Sequence, residues 1–277
     1  MINISILILT KNEQQDLPDC LNSVSWSDDI HVLDSQSSDE TVRVALAAGA
    51  KVTVRAFDGY ARQRNFGLQL PFKYDWVLIL DADERIPKPL LAELSNFINE
   101  APLTIAGARL RRRDMWWGRW LKHAQISPFY VRLIRVGRAI YEREINEILV
   151  VDGGIQDLDG HFYHYPFSKG LDHWIAKHNL YSNMEAQLIT GTKVQRPLLR
   201  VALFGRDFNE RRVHQKKIFY QLPARPIIKF FYMIVVRRAF LDGWPGIRYS
   251  ILQAIYEYFI VLKTKELQFS TSQANDR

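Results

Sequence analysis

Residues 75–85 read Asp75-Trp76-Val77-Leu78-Ile79-Leu80-Asp81-Ala82-Asp83-Glu84-Arg85. The apolar residues Val77, Leu78, Ile79 and Leu80 predict a short strand buried on both faces, and the chain then delivers the carboxylates Asp81, Asp83 and Glu84. Carboxylates crowded at the end of a buried strand repel one another and resist desolvation, so they need a cation, a proton or strong hydrogen-bond donors. Asp81 and Asp83 offer hard oxygen ligands suited to Mg2+ or Mn2+ bound together with substrate phosphates. A plain strand end leading into a helix also accounts for the tripeptide, because Pro87 and Pro89 suit an incoming helix. The neighbouring segments must decide.

Working outward, the first 100 residues alternate between strand-like and helix-like patterns, which predicts an α/β fold with parallel strands and crossover helices. Strands are expected over 2–9, 30–33, 51–55 and up to Asp81. Helices are expected around Leu17, Cys20, Leu21 and Val24, over 40–48 and over 60–70. The polar runs Thr10-Lys11-Asn12-Glu13, Asp34-Ser35-Gln36-Ser37-Ser38 and Asp81-Ala82-Asp83-Glu84 each follow the C-terminal end of a strand. Open parallel sheets bind ligands at that edge.

Beyond residue 103 the pattern becomes mixed. Strands over 106–112, 130–136, 148–151 and 160–165 are expected to extend the sheet with antiparallel partners, around an aromatic patch at 115–120. Arg109, Arg111, Arg112 and Arg113, with Trp116, Trp117 and Trp120, are suited to shape an acceptor side, although a folded aromatic cluster under a loop serves equally for the tryptophans. A helix over 168–189 follows. The composition then shifts, giving a division into a domain at 1–192 and a basic, helical, membrane-associating region at 193–277. In that second region Arg196, Arg200, Arg206, Arg211, Arg212, Lys216, Lys217, Arg225 and Lys229 face only Asp207 and Glu210 up to residue 229. Such basic and aromatic mixtures suit an anionic membrane surface. Two helices, 226–241 and 247–265, are expected to close the chain.

The net charge of +7 on 277 residues favours anionic partners without choosing among them. The single cysteine, Cys20, excludes an intrachain disulfide and fits a reducing cytoplasm. The apolar run at the N-terminus is too short for a signal peptide, and no apolar run approaches the about 20 residues that span a bilayer. A soluble or peripheral protein is expected.

Four segments in order, ILILTKNE (6–13), VLDSQSSDET (32–41), ARQRN (61–65) and LDADER (80–85), resemble family 2 of the inverting glycosyltransferases, whose fold is GT-A, a Rossmann-like, mostly parallel sheet flanked by helices. The nearer resemblance is to lipopolysaccharide inner-core β-1,4-glucosyltransferase-like enzymes, which also carry His-Tyr, a helix like residues 174–182, and a terminal Leu-Asp-Gly-x-x-Gly, here residues 241–246. The segment 195–226 is longer than that pattern.

The resemblance implies that Thr10, Asn12, Glu13 and Asp34 hold the uridine and ribose of a UDP-sugar, with Gln63, Arg64, Asn65, Asp81 and Ala82 lining the rest of the donor site. It implies Mg2+ or Mn2+ on Asp83 with Asp81 nearby, and His164 completing the coordination, with His161 as a weaker substitute. An inverting transfer needs a base opposite the leaving group. Glu147 is the residue expected in that role here, although the family pattern has His where Asn146 stands, and Glu144 or Glu84 are alternatives. The expected activity is transfer of a hexose, glucose first, to a lipopolysaccharide-core or other lipid-linked acceptor at the cytoplasmic face of the inner membrane. Competing readings are a polyprenyl-phosphate glycosyltransferase and a non-catalytic basic module for membranes or nucleic acid. No nucleic-acid motif is present, so no nucleic-acid partner is expected.

Overall fold

The structure is a computed structural model and describes residues 2–142, 147–191, 198–205 and 208–275. The chain forms two compact units, one of Met1–Trp120 with Ser127–Lys169 and one of Leu121–Ile126 with Gly170–Arg277.

In the first unit the elements are β1 (Ser5–Thr10), α1 (Leu17–Ser23), β2 (Ile30–Asp34), α2 (Thr41–Ala47), β3 (Lys51–Val54), α3 (Tyr60–Gly67), β4 (Trp76–Asp81), β5 (Glu84–Arg85) and α4 (Lys88–Glu100). They continue as β6 (Ile105–Trp116), β7 (Arg119–Trp120), β8 (Phe129–Arg135), β9 (Ala139–Glu142), β10 (Ile148–Val151) and β11 (Gly154–His164). Among the described residues the main sheet runs β3-β2-β1-β4-β8-β6-β11-β5, with β7 paired to the end of β6. The expected mostly parallel sheet with flanking helices is therefore present.

Parallel strands with crossovers bury both faces, and the alternation of side chains sorts the apolar residues accordingly. Ile6, Ile8, Leu78 and Leu80 pack on one face with Leu17, Cys20 and Leu21 of α1, Leu90, Leu94 and Phe97 of α4, and Phe162. Leu7, Leu33, Val77 and Ile79 pack on the other with Ala61, Ile134 and Tyr141. Register fixes the edge that matters: Thr10 pairs with Asp34, and Leu9 with Asp81, all in parallel. β8 is antiparallel to both β4 and β6, and β11 is parallel to β6. The ends of β6 and β11 thus reach the same edge as Asp34 and Asp81.

Two expectations need correction. β6 and β11 run parallel to β4, so among the described residues the antiparallel partners in this sheet are β8, β5 and the short β7. β10 does not extend the main sheet; it pairs with β9 as a separate hairpin, and Val151 lies over Gly107, where a Cβ would meet it at 3.5 Å. The aromatic patch sits at a strand end: β6 continues through Met115 and Trp116, turns back at Trp117 and Gly118, both with positive φ, as a two-residue hairpin requires, and Trp116 stacks on Trp117 and Phe167.

The second unit contains α5 (Gly170–Gly191), α6 (Leu199–Phe204), α7 (Phe208–Gln221), α8 (Arg225–Phe231) and α9 (Gly243–Asn275). The expected helix over 226–241 is interrupted: a π-helical turn spans Tyr232–Val236, Arg238 takes a left-handed φ of 58°, and a 3-10 turn follows at Ala239–Asp242. Here the Leu-Asp-Gly-x-x-Gly motif has a structural purpose. Buried Asp242 accepts the backbone N–H groups of His123 (2.9 Å) and Ala124 (2.7 Å), while Arg237 donates to the carbonyls of His123 and Gln125, both at 2.8 Å. At Gly246 a Cβ would lie 2.1 Å from the Ala239 carbonyl oxygen, so the start of α9 can approach only without a side chain. No helix among the described residues is long and apolar enough to cross a membrane.

Asp242→Ala leaves a buried backbone N–H without its charged acceptor, at a cost of about 2–3 kcal/mol. Urea denaturation followed by far-UV circular dichroism should show the loss as a lower midpoint; an unchanged midpoint would contradict the role given to this carboxylate.

Candidate active site

The C-terminal edge of the sheet gathers the polar loops. Thr10 Oγ1 donates to Asp34 Oδ1 at 2.8 Å, and Ser37 donates its backbone N–H to Asp34 Oδ2 at 2.7 Å and its hydroxyl to Oδ1 at 2.5 Å. Three of the roughly four acceptor positions of this buried carboxylate are thus taken, two holding the β2–α2 loop and one tying it to the end of β1. Asn12, at φ 54°, accepts the N–H of Ser38 at 2.8 Å and donates its own N–H to Ser37 Oγ at 2.7 Å. Thr10, Asn12 and Asp34 therefore form one bonded rim.

Glu13 stands beside that rim with Lys169 Nζ 2.6 Å from Oε1. Its other oxygen is buried without a hydrogen-bond partner among the described residues. Burial pushes the carboxyl up to about 7, against the lowering effect of Lys169.

Of the α3 side chains, Arg64 reaches Asp81 and Glu147. Buried Gln63 donates to Ser35 Oγ at 3.1 Å and accepts from Arg55 at 2.6 Å, and Asn65 exchanges hydrogen bonds of 2.8 and 2.7 Å with the Tyr141 backbone, fixing β9. Arg64 places Nη2 at 3.2 Å from Asp81 Oδ1 and Nε at 3.2 Å from Glu147 Oε1. Arg132, buried on β8, takes Asp81 Oδ2 at 3.2 Å and also binds Glu84, which is itself buried. Although burial opposes it, the two guanidinium groups hold the Asp81 carboxyl well below the usual carboxylate range. Burial dominates at Glu84 and pushes its carboxyl up to about 7 despite Arg132. Ala82 is buried, and its carbonyl accepts from Arg85 at 2.7 Å.

Asp83 lies on the other side of the turn. β5 pairs with β11 so that Glu84 is in register with His164, and His164 is in register with Asp114 on β6. His164 Nε2 is 3.2 Å from Asp83 Oδ2, while Nδ1 is bound to buried Asp114. Burial alone would lower this imidazole, but its hydrogen bonds to Asp114 and Asp83 raise it to about 9. A carboxylate behind one ring nitrogen with the other turned to a second carboxylate is the outer-shell arrangement of metal-binding histidines. The pair Asp83 and His164 therefore fits a divalent cation as a mixed O/N donor set. No group of three or more metal-ligating side chains occurs among the described residues, so other positions would fall to water or ligand oxygens, as Mg2+ and Mn2+ sites allow.

His161 is not in this cluster; it pairs with Arg111, and its ring lies edge-on to Trp120. Glu144 and Asn146 lie outside the described residues. Arg132, Asp114 and Lys169 are the participants that sequence reasoning missed. Arg132 carried a signal, a charge at an inward position of the apolar strand Phe129–Arg135. Lys169 carried none.

The family model for glycosyl transferase family 2 matches residues 5–147, about half of the chain, and the chain belongs to that family. It is a glycosyltransferase, which removes the non-catalytic reading. It is 28% identical to an uncharacterized glycosyltransferase of Rickettsia typhi over 98% of this chain and 89% of that one. It is also 30% identical to the lipopolysaccharide core biosynthesis glycosyltransferase LpsC of Rhizobium meliloti, over 66% of this chain and 70% of that one. Among solved structures, residues 1–349 of S. aureus TarS align over 90% of each chain at 13% identity with a TM-score of 0.44. Glucosyl-3-phosphoglycerate synthase from Mycobacterium tuberculosis, in complex with Mn2+, UDP and glucosyl-3-phosphoglycerate, aligns over 40% of this chain and 44% of that one at 24% identity and a TM-score of 0.35.

The buried Glu13 carboxyl is harder to ionise in the folded chain than in the unfolded one. Its contribution favours folding below pH about 4.5 and is lost as the pH rises through about 7. Urea midpoints of the wild type and Glu13→Gln measured from pH 4.5 to 7.5 should show a shallower fall in the variant; parallel curves would contradict this.

Proposed function

We propose that the chain is a metal-dependent inverting glycosyltransferase that moves a hexose, with glucose the first donor to test, from a UDP-sugar to a lipopolysaccharide-core or other lipid-linked acceptor. The observation that carries this reading is the meeting at one sheet edge of Asp83 with His164 and Asp114, and of Glu147 with Arg64. The LpsC relative, by its name, supports the choice of acceptor class.

In this reading Asn12, Glu13 and the Asp34 rim receive the uridine and ribose, and Asp83 and His164 hold the Mg2+ or Mn2+. The cation supplies, when bound, neutralisation of charge on the departing diphosphate. Asp81, already held by Arg64 and Arg132, orients those arginines at the donor side. Arg64 positions Glu147 Oε1, which takes the proton of the acceptor hydroxyl as that oxygen bonds to the anomeric carbon and the bond to UDP breaks. Because His164 is protonated near neutral pH without metal, cation binding displaces a proton and weakens as the pH falls.

Titration calorimetry with UDP in Mn2+ and in EDTA should show binding that depends on metal and is weakened at least about tenfold by Asp83→Ala. In a UDP-release assay Glu147→Gln should lose about 100-fold or more in transfer rate while still binding UDP. Absence of UDP binding with and without metal would sink the proposal, and a fully active Glu147→Gln would remove the base assigned here.

A cytoplasmic, peripheral position on the inner membrane face follows the same reading. The second unit exposes Phe204 (78%), Trp244 (69%) and Val236 (67%) along with Phe231 and Phe240, and it also exposes Arg200 and Arg238. Not every basic residue of the region is available: Lys216 pairs with Glu185, and buried Arg225 pairs with Glu257. Arg196, Arg206 and Asp207 lie outside the described residues. Flotation with phosphatidylglycerol vesicles should carry the full chain, and Phe204→Glu with Trp244→Glu should reduce the floated fraction severalfold; equal partitioning of the two proteins would refute membrane docking by this surface.

A further inference from the structure

One strand of the first unit carries more positive charge than the reaction centre uses. Residues two apart on a strand share a face, so Arg109, Arg111 and Arg113 of β6 stand in a row, about 7 Å apart, while Arg112 turns to the opposite face and pairs with Asp114. The row climbs toward the sheet edge where His164 and Asp83 meet, since β6 runs parallel to β4 and β11. Arg109 is neutralised by Asp157 at 2.6 Å. Arg111 and Arg113 have no carboxylate partner among the described residues. Each instead lies over an aromatic ring, Arg111 at 4.5 Å from the Phe129 centroid and Arg113 at 4.3 Å from that of Trp120.

This arrangement departs from what folding alone favours. Stacking fixes the planes of two guanidinium groups and leaves their edge donors for an anion. Arg113 Nε is buried with no hydrogen-bond partner among the described residues, an orphan donor that costs stability unless a ligand satisfies it. The neighbouring His161, in register with Arg111, is held below its ordinary pKa by burial first and then by the charges of Arg113 and Arg111, against the opposing carboxylates of Glu93 and Asp159.

We propose that this face of β6 is a subsite for an oxyanion group, phosphate monoester or carboxylate, carried by the saccharide acceptor, with Arg111 and Arg113 as the recognising residues. The subsite rests on the glycosyltransferase reading for its ligand, a sugar, but not for its anion chemistry.

The test uses the full chain labelled with 15N-arginine, so that each Nε–H gives its own NMR signal. Titration with glucose 6-phosphate, glucuronate, inorganic phosphate and glucose should shift the Arg111 and Arg113 signals with the first two, more weakly with phosphate, and not with glucose. The stronger of the first two identifies phosphate or carboxylate as the natural group. Arg111→Gln with Arg113→Gln should weaken glucose 6-phosphate or glucuronate binding at least tenfold, and the exposed single variant Arg111→Gln should weaken it severalfold if the double variant fails to fold. Shifts equal for glucose and the anions, no shift at all, or unchanged affinity in the variants would overturn the proposal. Tighter binding of an RNA oligonucleotide than of either sugar, lost in the same variants, would overturn it in favour of a nucleic-acid face. UDP titration of the wild type separates the two readings: its failure removes the donor assignment and leaves anion binding by these arginines standing or falling on its own.

Discussion

Two carboxylates, half-exposed Asp81 and buried Glu84, stand at the end of β4, and the rest of the site depends on how their charge is met. Arg132 reaches both of them from β8, and Arg64 reaches Asp81 from α3. Breaking a buried pair by removing one partner costs about 3–5 kcal/mol, because the survivor is left charged and dry. The network is therefore a constraint on the fold before it is a part of catalysis. It ties β4, β5, β8 and α3 together, and through Arg64 it also fixes Glu147, which lies far away in sequence.

That constraint divides the duties of the acidic stretch. Asp81 and Glu84 are committed to arginines, and the intervening turn places Asp83 against His164. The two-residue strand β5 does the placing, since pairing Glu84 with His164 in register brings that imidazole to the turn, and pairing His164 with Asp114 fixes its other nitrogen. A slip of one residue would send His164 to the opposite face. The metal assignment of the sequence reading thus narrows to Asp83 and His164 as proposed ligands, with Asp81 acting through Arg64 and Arg132.

Much of this was legible in the residues. The apolar runs and the polar loops after them place Thr10, Asp34 and Asp81 at one edge, because parallel strands with short crossovers leave few other arrangements. Long-range pairing was not legible in the same way. The apolar pattern does not distinguish β10, which leaves the sheet, from β8, which joins it; β8 differs in carrying Arg132 and Arg135. The roles of Gln63 and Asn65 were also hidden, because an amide that holds a loop and an amide that holds a ligand have the same sequence. Arg132 could have been found, as an arginine inside an apolar strand demands a buried acid, and the acidic turn after β4 was already waiting for one.

The central claim is that the acidic turn has two separate halves, Asp81 and Glu84 held by arginines and Asp83 aimed with His164 at a cation. A crystal structure with UDP and Mn2+, read by anomalous scattering at the manganese edge, tests it most directly. The account predicts one peak within coordination distance of both an Asp83 oxygen and His164 Nε2, with Asp81 still bound to Arg64 and Arg132. A peak coordinated by Asp81 and not by His164, or a UDP complex with no peak at this turn, would contradict it.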